Sequence, residues 1–117
     1  MRIQSLVAMF LLTASATAAA DKHPQCAGVD GWATSMAFVH LRNAHLTDRE
    51  AIDLTKTKTV RLASEKIGKD LYRQIHHVVF TEKSGRMIEV ITNNDASNVE
   101  CSMSGVRVFV VSKQLGD

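Results

Sequence analysis

The chain is poor in cysteine, has almost no charge surplus and carries no catalytic signature. Its two cysteines, Cys26 and Cys101, include no Cys-x-x-Cys, which argues against the usual zinc and thiol-redox spacings. No glycine-rich loop of the kind that cradles phosphate is present. Ser64, Ser84, Ser97, Ser102, Ser104 and Ser112 all lack the Gly-x-Ser-x-Gly setting of a nucleophile elbow. There is no Asn-x-Ser/Thr acceptor for glycosylation. Past residue 20, Lys and Arg number 13 (14 less Arg2) against 12 Asp and Glu, a net of +1. So small a charge gives no electrostatic reason to expect nucleic acid or an acidic membrane as partner. No later stretch is apolar enough to span a bilayer, which takes roughly 20 residues.

What is present starts at the amino terminus. Arg2 precedes the apolar run Leu6 to Leu12. Small residues follow, with Ala-x-Ala sites at Ala16-Thr17-Ala18 and Ala18-Ala19-Ala20. A positive start, a short apolar core and a small-residue end predict a secretory signal peptide over 1–20, cut between Ala18 and Ala20. Residues 21–117 are then expected to form one α+β domain, secreted or periplasmic. In that compartment two cysteines pair, so a Cys26–Cys101 disulfide is expected, with two free thiols as the alternative.

The downstream pattern predicts a helix and then strands. Asp30 is placed to cap a helix of about four turns. On its wheel Trp32, Ala33, Met36, Ala37, Val39, His40, Leu41 and Ala44 share one face, while Thr34, Ser35, Arg42 and His45 fall elsewhere. Thr47-Asp48-Arg49-Glu50 has the capping-box spacing and predicts a short second helix through Ile52 and Leu54. Strands are expected over 57–66, 71–82, 86–92 and 105–113. Gly68-Lys69-Asp70 reads as a turn, Lys83-Ser84-Gly85 as a three-residue hairpin loop, and 93–98 as a polar loop. Residues 63–72 could alternatively be helical.

The predicted fold is α+β: an amino-terminal helix on a roughly four-stranded antiparallel sheet. The order α-β-β-β-β resembles cystatin-like architecture at the level of topology. The hairpin loop pairs Phe80 with Ile88 and Val78 with Val90, placing these four on one face, with Val106, Val108 and Val110 beside them. The opposite face then carries Ile75, His77, Val79, Met87, Ile91, Phe109 and Val111. One helix covers one face, so the second is expected to be a partner-binding surface. A one-residue slip would exchange the faces, and the second helix or sheet curl could cover the outer one.

The histidines offer the remaining chemistry. His40 reads as a hydrogen-bonded core residue. His76 and His77 are strand neighbours and point to opposite faces, so they cannot share a metal. If the mature chain starts at Asp21, Asp21-Lys22-His23 presents an amine, two backbone amides and an imidazole. That square-planar nitrogen set suits Cu(II) or Ni(II). No residue is assigned a catalytic role, and no cofactor is expected unless copper binds at His23. The expected function is an inhibitor- or immunity-like binding protein whose partner is another protein or a second copy of itself. The alternatives are a small-molecule or copper-binding protein and, third, a compact enzyme using His76 or His77 as base.

Overall fold

The computed structural model describes residues 21–111. The predicted signal segment, 1–20, and the expected strand end at 112–113 lie outside these residues. Helix α1 spans Trp32–Asn43, followed by strands β1 (Ile52–Gly68), β2 (Leu71–Glu82), β3 (Met87–Ala96) and β4 (Arg107–Val110). The four strands form one antiparallel sheet in the order β1-β2-β3-β4. Among the described residues no helix is long and apolar enough to cross a membrane.

Helix α1 begins one residue later than expected. Gly31, not Asp30, is the N-cap, and no side chain caps it. The Gly31 carbonyl accepts from Ser35 N at 2.9 Å, while a turn closes from Gly31 N to Gly28 O at 3.0 Å. At the other end His45 adopts a left-handed φ of 58°. Leu46 N then donates to Leu41 O and His45 N to Arg42 O, each at 3.0 Å. This Schellman pairing satisfies the last carbonyls and stops the helix. The buried stripe is Ala33, Thr34, Ala37 and Leu41. Thr34 therefore belongs to the buried face, because its hydroxyl is engaged by Gly28 O at 2.9 Å and Thr59 Oγ1 at 2.7 Å. His40 is exposed, contrary to expectation: the small Ala37 and the Leu41 side chain take the positions against the sheet.

The predicted second helix does not form. Asp48 Oδ1 accepts from Ala51 N at 2.8 Å, which uses the capping signal for a single turn. Ile52 and Leu54 enter β1 instead. Pairing with β2 outweighs the local helix signal, and β1 becomes 17 residues long. Residues 63–72 are strand and turn, not helix.

The central hairpin has the predicted register, with Phe80 opposite Ile88 and Val78 opposite Val90. Gly85 sits at φ 95°, a conformation open to glycine, and its N–H donates to Glu82 O at 2.8 Å. β3 continues through Asn93 to Ala96, where a loop was expected. Those residues pair with Tyr72 to Ile75, so the ladder satisfies a backbone that their polar side chains do not direct.

The core lies between α1 and the inner face of the sheet: Ala37, Leu41, Ile52, Val78, Phe80, Ile88 and Val90, with Phe38 and Val108 packed against it. Cys26 and Cys101 are joined, their Cα atoms 5.7 Å apart across 75 positions. The bridge ties the segment before α1 to the β3–β4 loop. Nearby, Asp70 at φ 45° accepts from both the backbone and the side-chain amide of Asn98. Asn98 Nδ2 also reaches Lys22 O at 2.7 Å, so the leader, the β1–β2 turn and the loop after β3 are pinned together.

Candidate contact surface and buried polar cluster

The register places the outer-face residues in rows. Val60, His77, Ile91 and Phe109 are successive cross-strand partners over all four strands. Ala63, Ile75, Asn93 and Arg107 form the row on one side. Lys58, Val79 and Glu89 form the row on the other, with Val111 N donating to Glu89 O at 2.9 Å. Met87 lies beyond, opposite Thr81. The sequence therefore assigned Ile75, His77, Val79, Ile91 and Phe109 to one face in agreement with the pairing.

Coverage separates this face from the core. Met87 is 61% exposed, Phe109 56% and Val60 55%. Val111 is also exposed, and Ile75, His77, Val79 and Ile91 are half-buried by their strand neighbours. Among the described residues α1 packs on the other side, where its Ala37 and Leu41 join the inner-face core with Val78, Phe80, Ile88 and Val90. Charge frames the apolar centre. Arg73 and Asp95 pair at 3.4 Å, and Lys58, Glu89 and Arg107 stand in the flanking rows. Such an exposed pair adds little stability.

Val60 was missed in the sequence. It alternates correctly with Lys58, yet the register shift between Arg61 and Ala63 breaks the period of two just after it. The exposed Leu62 is the extra residue at that bulge.

The inner face holds a second concentration of function-bearing side chains. Gln74 and Asn94 are cross-strand partners, as are His76 and Thr92, and all four are buried. Gln74 Nε2 donates to Pro24 O at 2.9 Å and to Ser64 Oγ at 3.0 Å. Asn94 Nδ2 donates to Cys101 O at 3.2 Å. Both ring nitrogens of His76, Thr92 Oγ1, Gln74 Oε1 and Asn94 Oδ1 have no protein partner. Burial pushes the His76 imidazole below its ordinary pKa, and the charge of Arg61, its neighbour across β1, pushes in the same direction. The buried histidine is thus His76 and not His40. The clue was its place in the series Tyr72, Gln74, His76, Val78, Phe80, which alternates onto the core side.

His23 is docked on the same end. Its Nδ1 lies 2.6 Å from Ser64 Oγ, and its ring centroid is 4.7 Å from that of Tyr72. A square-planar copper site at Asp21-Lys22-His23 would have to draw this imidazole away from Ser64. Among the described residues no three His, Cys, Asp or Glu side chains are grouped to hold a metal.

Glu82 closes the far end of the sheet. Its carboxylate accepts from Arg86 Nε and from Thr47 Oγ1 at 3.0 Å. The Arg86 hydrogen bond, with that of Thr47 second, holds its pKa below the ordinary carboxylate value. Arg86 also donates to Leu46 O at 2.8 Å, linking the hairpin to the end of α1.

Comparison with known proteins adds no relative to these observations: no family model, curated protein or solved structure matches the chain.

Proposed function

We propose that this is a small exported binding protein that acts through a protein–protein surface, in the manner of an inhibitor or an immunity protein. The outer face of the sheet is the contact surface, and the partner is another protein. The observation that carries this reading is the continuous row Val60, His77, Ile91, Phe109, flanked by exposed Met87 and Val111 and left uncovered by α1. Apolar side chains gathered on one face rimmed by charge are the composition of an interface core. Export is supported by the signal-like segment 1–20 and by the Cys26–Cys101 bridge, which suits an oxidising compartment. The α-β-β-β-β order is read as cystatin-like in type.

The test is affinity capture with wild-type protein and with the Phe109→Asp and Ile91→Asp variants, read by quantitative mass spectrometry. A specific protein lost from both variants, with the domain still folded, supports the reading. Equal capture by all three proteins refutes it. Sedimentation of the purified chain separates a second copy from a different partner: a concentration-dependent dimer abolished by Phe109→Asp would replace the hetero-partner with self-association.

A further inference from the structure

On the inner side of the sheet, away from the proposed contact face, a groove of about 410 Å³ runs between α1 and the start of β1. Its size is that of a small-molecule site, roughly 300–1,000 Å³. It lies beside the stretch of β1 between Asp53 and Lys58, where the strand leaves its register with β2. Phe38, Val39 and Phe80 line it, with the exposed Val29 and Leu54 along its sides.

Three features give this groove a chemistry. Its walls are mainly apolar. Arg42 and Arg49 both line it, and among the described residues neither guanidinium hydrogen-bonds or pairs with a carboxylate. Thr57, also a lining residue, is 8% exposed and its hydroxyl has no protein partner. The one carboxylate on the groove, Asp30, precedes the helix, whereas Arg42 lies in its last turn. At ~1.5 Å per residue these ends are separated by roughly 15 Å or more. Asp48, the residue before Arg49, lines a neighbouring cavity together with Arg42, which puts Arg49 at the Arg42 end of the groove, opposite Asp30.

We propose that this groove binds a free amphiphilic carboxylate, with its head at Arg42 and Arg49 and its apolar body along Phe38 and Val39. Guanidinium forks match carboxylate geometry, and the Thr57 hydroxyl supplies a further donor inside the groove. The proposal does not depend on the outer face being a contact surface.

The experiment is a calorimetric titration of the full mature chain with sodium decanoate below its micelle concentration, with decyltrimethylammonium as the opposite-charge control. Backbone amide NMR shifts map the site. Saturable one-to-one binding of decanoate is expected, with shifts at Val29, Phe38, Val39 and Leu54 and none at Ile91 or Phe109. The exposed double substitution Arg42→Gln/Arg49→Gln should weaken it by roughly tenfold or more without loss of fold. Thr57→Val should weaken it severalfold while leaving the melting temperature equal or higher, which a purely structural hydroxyl would not do. Absence of saturable decanoate binding overturns the proposal. So does equal binding of the cationic amphiphile, affinity unchanged by the arginine substitutions, or shifts confined to the outer face.

Discussion

Phe80 and Phe109 are the same side chain on opposite faces of one sheet. Phe80 is 1% exposed, and its ring centroid lies 6.1 Å from that of Phe38 of the helix, the planes tilted by 51°. Phe109 is 56% exposed and nothing described lies over it. Residue type does not distinguish core from surface here; coverage does. A single 12-residue helix shields the inner face only, and it does so selectively. It covers the aliphatic half around Val78, Phe80, Ile88 and Val90. In the polar half, Gln74 is held by Pro24 of the leader and Asn94 by Cys101, which the disulfide ties to the leader. Burial of a large apolar side chain is worth roughly 1.5–3 kcal/mol, and the outer row forgoes part of that in the free protein.

The largest effect expected from this contrast is a pair of aspartates. Phe80→Asp should cost more than about 4 kcal/mol and abolish cooperative unfolding, because it buries a charge with no partner. Phe109→Asp should stay within about 0.5 kcal/mol of wild type in urea denaturation, as surface substitutions do. Comparable losses from both would show that the outer face is covered. Next in size is the bridge. Replacing Cys26 and Cys101 together by alanine should cost about 2–5 kcal/mol, read as a shift in denaturation midpoint, since the bridge closes most of the domain. If the midpoint is unmoved, the tie between the leader and the polar half adds no stability.

A smaller effect follows from His76. Its folded pKa lies below the ordinary 6.5, so the unfolded chain binds the proton more readily. Stability should be constant above that value. It should fall as pH drops below it, and go on falling to the depressed folded value. His76→Gln should flatten this slope in denaturation curves collected across the range. A slope that survives the substitution would move the effect to another group. Smallest is the contribution of Glu82, whose carboxyl is held low by Arg86 and Thr47. Its stabilisation is present above the ordinary carboxylate value of 4.5 and lost as pH falls through the lowered folded value. Glu82→Gln should remove that acid-limb component. An acid limb identical to wild type would show that the exposed Arg86 contact adds nothing.

Much of this arrangement was legible in the chain. The strand Leu71–Glu82, the hairpin at Gly85, the disulfide and the two-face assignment all rest on local alternation, turn chemistry and cysteine count. The misread strand boundaries have one physical source, strand pairing that overrides a local signal, whereas His40 and Thr34 were misplaced by which side chains of α1 pack on the sheet. Thr47-Asp48-Arg49-Glu50 carries a helix-start pattern, yet β2 offers Ile52 a partner in Glu82 and the strand wins. Asn93 to Ala96 look like loop residues until Tyr72 to Ile75 pair with them. The register shift of β1 between Asp53 and Lys58, beside the groove at Thr57, leaves no local pattern that the period of two can detect.

The central claim is that the uncovered face is where a partner protein sits, and site-specific photo-crosslinking reads this most directly. Benzoylphenylalanine is placed singly at Phe109, at Val60 and, as a control, at Val99, a loop residue 89% exposed. Irradiation in the native host should give the same discrete adduct from Phe109 and Val60 and none from Val99. No adduct from the two face positions, or an equal spread of adducts from all three, would contradict it.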